Sequence, residues 1–299
     1  MISTRILLYI HIIKKRAVNK HSALILFSRS IIYWHIAAVI ALCISGCASF
    51  ATAKQSTTAT IAAAHGMTRQ ITLGTHFNHV IYTHGDWATA SVLHIYLEGD
   101  GLPWISRDRI AADPTARYPL ALHLMAQDPH PALYIGRPCY DGFAQARDCT
   151  PWLWTHGRYS SEVVASLVSV IKRVLPYNPE RRLTLIGYSG GGVLAVLIAR
   201  ELAGVKTVIT LAANLDLDAW TDQHGYSRLV GSINPATLTP LHSAIRQIHL
   251  FGKRDVNVTP LLVRRFLAQN PQAMHRLIAG FDHRCCWVEH WPTLLTFAD

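Results

Sequence analysis

The chain has 299 residues, half of them apolar and only 15% of them charged, which excludes a mainly disordered chain. Its net charge of +10 suggests a polyanion binder. However, six of the 28 basic residues (Arg5, Lys14, Lys15, Arg16, Lys20 and Arg29) lie before residue 47, where there is no acidic residue. The other 22 face 18 acidic residues, and no basic cluster with interleaved aromatics occurs among them. Nucleic acid is therefore not an expected partner. Six cysteines are too few for a disulfide scaffold of this length.

In chain order, the basic start leads into an apolar run over residues 31–44. That run is shorter than the roughly 20 residues of a membrane span and suits the apolar region of a signal peptide. Ile44-Ser45-Gly46-Cys47 follows and resembles the bacterial lipobox. The resemblance implies a lipoprotein signal peptide over residues 1–46, cleavage before Cys47 and acylation of that cysteine. Two or more acyl chains hold a protein stably on a membrane, so a cell-envelope location with a lipid anchor is expected. Ala48 after the cysteine favours the outer membrane. Residues 47–67 are mostly Ala, Ser and Thr with no apolar period, and are expected to form a flexible tether.

The remainder, residues 68–299, is expected to form one domain. Residues 69–73 and 79–83 read as a short hairpin. Apolar strands are predicted at 92–97, 132–135, 183–186, 207–212, 248–251 and 275–279. Helices are predicted at 161–175, where apolar residues recur at helical spacing before Pro176, and at 191–202, 260–268 and from about Trp287. Apolar strands alternating with helices predict an α/β domain, with a mostly parallel central sheet covered by helices on both faces. The stretch 214–245 is the candidate for a small lid.

Gly187-Tyr188-Ser189-Gly190-Gly191 stands between the predicted strand 183–186 and the next helix. This is the G-x-S-x-G pattern in the setting that gives it chemical meaning. The turn is so tight that the residues two before and two after the serine must be glycine. The serine is pushed out beyond the sheet edge at a helix N-terminus, which favours a developing oxyanion. A serine nucleophile needs a base and an orienting acid. Asp255 follows strand 248–251, and His283 follows strand 275–279. Asp216, Asp218 and Asp222 are rival acids, although Asp218 is also placed to cap a helix. His290 is a rival base within the final helix. One backbone donor for an oxyanion is expected from Gly190. The other is expected from Asp100 or Gly101, in the loop Leu97-Glu98-Gly99-Asp100-Gly101 after strand 92–97, with Glu98 as an internal hydrogen-bonding residue.

With its elements and motif in this order, the chain resembles the α/β-hydrolase fold superfamily over residues 70–297. The glycine-rich loop at Glu98-Gly99 resembles that family's His-Gly oxyanion loop, with Glu98 in place of histidine. The resemblance implies a serine hydrolase acting through an acyl-enzyme on Ser189. His283 would be the base and Asp255 its orienting acid, with no metal or organic cofactor. A small ester or acyl compound is the implied substrate, and a carboxylesterase is favoured over a peptidase or thioesterase. The alternative is a non-catalytic binding or assembly lipoprotein of the same fold.

Cys139 and Cys149 flank a loop of turn residues and are expected to form a disulfide. Cys285 and Cys286 stand beside His283, either as a vicinal disulfide or as buried thiols. The pair His76 and His79 has no further ligand set around it, so no metal site is expected. Trp104, Trp152 and Trp154 are candidates for either a pocket wall or the core.

Overall fold

The computed structural model describes residues 57–297. The expected signal peptide and the expected lipid site Cys47 lie outside the described residues. The strands are β1 (Thr68–Leu73), β2 (Asn78–His84), β3 (Val92–Leu97), β4 (Trp104–Ser106), β5 (Arg109–Ile110), β6 (Ala132–Ile135), β7 (Arg182–Tyr188), β8 (Val205–Leu211), β9 (Arg246–Gly252) and β10 (Met274–Ile278). The helices are α1 (Thr57–Ala64), α2 (Leu120–Met125), α3 (Ser161–Val174), α4 (Gly190–Ala199), α5 (Leu217–His224), α6 (Arg264–Gln269) and α7 (Trp287–Leu295).

Eight strands form one sheet in the order β1-β2-β6-β3-β7-β8-β9-β10, while β4 and β5 pair separately. β1, β2 and β6 join antiparallel, and every pairing from β6 through β3, β7, β8 and β9 to β10 is parallel. The central strands are apolar on both sides because both sheet faces are covered. Leu93, Ile95 and Leu97 of β3 pack with α3 and α4 on one face. Tyr96 of β3 and Ile186 of β7 pack with α2 and α7 on the other. Each such side chain contributes roughly 1.5–3 kcal/mol by leaving water.

α3 begins at Ser160, whose side chain accepts a hydrogen bond from the Val163 N–H. Glu162 near its start and Lys172 and Arg173 near its end suit the helix dipole. α4 is buried along its whole length and packs on β7 and β8. It fixes the direction in which the chain leaves β7.

The expectation of a flexible tether through residue 67 is corrected. Residues 57–64 form α1, and α1 packs against α2 and β1. Thr58 and Ala62, four residues apart and so on one helix face, are buried, as is Met67. Small side chains allow this close packing, and alanine favours the helix. Among the described residues, no helix is long and apolar enough to cross a membrane.

Candidate active site

Four parallel strands end at one edge of the sheet, and each runs into a loop that meets the others. β3 leads into Glu98–Gly101, β7 into Ser189, β9 into Asp255 and β10 into His283. This C-terminal edge is where open parallel sheets present chemistry.

Ser189 has φ +50° and ψ −121°, a strained backbone for an L-residue. The strain is held by neighbouring backbone bonds. The Ser189 N–H donates to the Leu211 carbonyl at 2.8 Å, and the Gly192 N–H donates to the Ser189 carbonyl at 2.9 Å. A Cβ on Gly187 would collide with the backbone of Gly191, so the turn closes only with glycine there.

His283 bridges the serine and an acid. Its Nδ1–H donates to Asp255 Oδ2 at 2.9 Å, which leaves Nε2 to accept from Ser189 Oγ at 3.1 Å. The other Asp255 oxygen accepts from the backbone N–H groups of Asn257 (2.8 Å) and Val258 (2.9 Å), so the carboxylate is fixed by its own turn. The Tyr188 hydroxyl donates to the His283 carbonyl at 3.0 Å. Asp282 stabilises the histidine loop by accepting from the N–H groups of Arg284 and Cys285.

The rival residues sit elsewhere. Asp216, not Asp218, caps α5: it accepts from the Ala219 N–H and also from Asn234 Nδ2. Asp218 and Asp222 pair with Arg228 on the surface. His290 lies in α7, edge-on to Phe281.

The loop after β3 runs directly past the serine. The Gly99 N–H is occupied by Glu98 Oε1 at 2.8 Å. Among the described residues, the N–H groups of Asp100 and Gly101 have no acceptor. The Gly190 N–H belongs to the first turn of α4, where donors have no intrahelical partner. Among the described residues, three backbone donors in the segments that flank Ser189 thus have no protein acceptor.

No protein-family model and no curated protein matches the sequence. Solved structures do. A membrane phospholipase A is similar, with a TM-score of 0.54 and 14% identity, over 89% of this chain and 97% of that one. An esterase of Pyrococcus furiosus has a TM-score of 0.51 and 14% identity, over 79% of this chain and 93% of that one. A puromycin hydrolase has a TM-score of 0.52 and 18% identity, over 74% of this chain and 36% of that one. The chain has the α/β-hydrolase fold. Likeness at such identities is one of fold, and the chemistry must be argued from the site.

In this α/β-hydrolase fold, four residues that hold the loop beside the serine, Arg137, Tyr140, Arg158 and Tyr159, carry no sequence signal, whereas Glu98 is the internal hydrogen-bonding residue expected. Asp100 is held by Arg137 Nη1 and Arg158 Nη1, both at 2.7 Å, and by the Tyr159 hydroxyl. Tyr140 donates to the Asp100 carbonyl at 2.9 Å. Burial alone would raise the Asp100 pKa, but Arg158 and Arg137 outweigh it and hold the carboxyl at about 2. The Asp100 carboxylate packs so close to Gly190 that a Cβ there would collide with it. Glu98 is buried, and its two oxygens accept from the N–H groups of Gly99 and Ala121. Burial pushes its carboxyl up to about 7 against the pull of those donors.

A cavity of about 730 Å³ opens over Ser189 and His283. Of the three candidate tryptophans, Trp104 lines it. Trp154 is buried and donates to the Ala111 carbonyl, and Trp152 is half-exposed outside the cavity lining. Tyr118, Trp220 and Tyr226 complete the aromatic wall. The last two come from the 214–245 stretch, which supplies α5 and a loop beside the cavity.

Cys139 and Cys149 form a disulfide with Cα atoms 5.5 Å apart. Cys285 and Cys286 are bonded to each other within the histidine loop. His79 is core: Nδ1–H donates to the Gly136 carbonyl, and Nε2 accepts from the Ser166 hydroxyl. Burial lowers its pKa to about 4. His94, Asp128 and His130 bring potential metal ligands together. Their carboxylate already accepts from His94, from the Tyr96 hydroxyl and from the His130 N–H, which makes the cluster a closed hydrogen-bond network.

Proposed function

We propose that this protein is a serine hydrolase that cleaves carboxylic esters through an acyl-enzyme on Ser189. The single observation that carries the reading is the continuous chain of hydrogen bonds from Ser189 Oγ through His283 to Asp255. Ser189 Oγ attacks the ester carbonyl carbon while His283 Nε2 takes its proton. The tetrahedral oxyanion is met by the N–H of Gly190 and that of Asp100 or Gly101. One such donor is worth about 3 kcal/mol of transition-state stabilisation. Collapse breaks the C–O bond to the alcohol, and His283 returns the proton to that leaving oxygen. A water molecule then repeats the sequence, with His283 as base, to free the acid and regenerate Ser189. Asp255 keeps the Nδ1 proton in place and stabilises the imidazolium.

An ester rather than an amide is favoured because similar folds include an esterase and a phospholipase A. The sequence at Ile44-Ser45-Gly46-Cys47 supports an enzyme anchored by lipid in the cell envelope. The test is a series of 4-nitrophenyl esters of increasing acyl length, measured for wild type and Ser189→Ala. Turnover by wild type should fall by about 10³-fold or more in the variant. Equal turnover by a folded Ser189→Ala protein would overturn the reading.

A further inference from the structure

We propose that the cavity over Ser189 is built for esters carrying an anionic group, a carboxylate or phosphate, bound by Arg107, Arg117 and Arg284. The proposal rests on the hydrolase reading of Ser189 and adds the substrate class.

The charged groups lining the cavity are Glu98, Asp100, Arg107, Arg117, Arg158 and Arg284. Both carboxylates are already engaged. Asp100 lies between Arg158 and Arg137, and Glu98 turns its oxygens to backbone N–H groups. Arg107, Arg117 and Arg284 are exposed, and among the described residues no carboxylate lies within ion-pair distance of them. The acids nearest in sequence to these arginines, Asp108, Asp113 and Asp282, hydrogen-bond within their own loops. Asp108 accepts from the Ser106 hydroxyl, and Asp113 accepts from Thr115.

These three arginines come from three separate segments: the β4–β5 turn, the loop before α2 and the histidine loop. The fold, not a local charge run, brings them to one cavity. Arg228, by contrast, lies outside this cavity's lining and is neutralised by Asp218 and Asp222. With both lining carboxylates engaged, the three arginines leave the cleft with an excess of positive charge, which attracts an anionic ligand. The planar guanidinium group matches a carboxylate or phosphate in a way a lysine does not. Trp104, Tyr118, Trp220 and Tyr226 supply an apolar wall in the same cavity. The chemistry recognised is therefore an ester with an apolar body and an anionic end. A soluble hemiester and a lipid with an anionic headgroup share it.

The test separates binding from turnover. Affinity of the full-length Ser189→Ala protein is measured for N-(4-nitrophenyl)succinamate and for its uncharged analogue N-(4-nitrophenyl)butyramide. The anion should bind about tenfold tighter at low salt, and added salt should erode the difference. Combined replacement of Arg107, Arg117 and Arg284 by Gln should remove the preference, whereas Arg265→Gln, on an exposed part of α6, should keep it. In parallel, wild-type turnover of 4-nitrophenyl hemisuccinate is compared with that of 4-nitrophenyl butyrate. Fatty-acid release from phosphatidylglycerol vesicles is compared with release from phosphatidylcholine vesicles. An arginine-dependent preference for the anion in any arm upholds the proposal, and the arm that shows it identifies the source. No preference in any arm, or one that survives loss of the three arginines, overturns it. Anion binding without turnover of any ester would instead remove the hydrolase reading and leave the site.

Discussion

The side-chain amide of Asn257 stands 3.1 Å from His283 Nε2, the same distance as Ser189 Oγ. Trp220 Nε1 donates to Asn257 Oδ1 at 3.3 Å, which turns the amide nitrogen towards the histidine. The single lone pair on Nε2 is thus shared between two donors. A neutral hydrogen bond contributes about 0.5–1.5 kcal/mol. Asn257→Ala should free the lone pair for the Ser189 proton and raise the rate of Ser189 phosphonylation about 2–10-fold. A tenfold fall would show that Asn257 positions the ring rather than competing for it.

Asp100 joins the loop beside Ser189 to two buried arginines. Asp100→Asn leaves both guanidinium groups without their counter-charge. Removing one partner of a buried pair costs about 3–5 kcal/mol, which should appear in urea unfolding at neutral pH. The folded-state pKa of Asp100 is depressed to about 2 from 3.8. Its contribution is therefore complete above about pH 4 and is lost as pH falls towards 2. The gap between wild type and variant should narrow in that window. A constant gap would contradict the charge-based account.

Three buried groups give stability a pH dependence with opposing signs. Burial raises Glu98 from 4.5 to about 7, so its contribution is complete below 4.5 and is lost as pH rises to 7. Burial lowers His79 from 6.5 to about 4 and His249 to about 3, so their contributions are complete above 6.5 and are lost as pH falls. Each group changes the slope by about 1.4 kcal/mol per pH unit where only one state is protonated. Between pH 4.5 and 6.5, Glu98→Gln should steepen the rise of stability with pH, and His79→Gln should flatten it. Urea midpoints measured across this range check both signs, and unchanged slopes would contradict them.

The strands of the central sheet are legible because burial on both faces leaves short continuous apolar runs, such as residues 92–97 and 132–135. The order Ser189, Asp255, His283 is legible because each residue follows a predicted strand, and the ends of parallel strands share one edge. α2 escapes detection because Leu120–Met125 is only six residues long and has His123 as its sole polar side chain, too little for a helical period to show. α5 does so because it buries only Leu217 and Thr221. α1 escapes because Ala and Thr show little apolar contrast, although both pack well when small side chains are needed. The network around Asp100 joins residues 37, 58 and 59 positions away, and no spacing rule connects them. The cavity arginines are likewise scattered along the chain.

The proposed lipid anchor depends on Cys47 and is tested by location. Cys47→Ala should shift the protein from the membrane fraction to the soluble fraction, and metabolic labelling with palmitate should be lost. Unchanged fractionation and labelling would contradict the anchor and leave the domain chemistry untouched.

The proposed hydrolysis depends on Ser189 as the nucleophile. Its most direct test is reaction of the folded full-length protein with a fluorophosphonate, followed by mass spectrometry of the modified peptide. One phosphonyl group is expected on Ser189, with none on Ser189→Ala and strongly slowed labelling of His283→Ala. A folded wild-type protein that takes no label, or takes it on a residue other than Ser189, would contradict it.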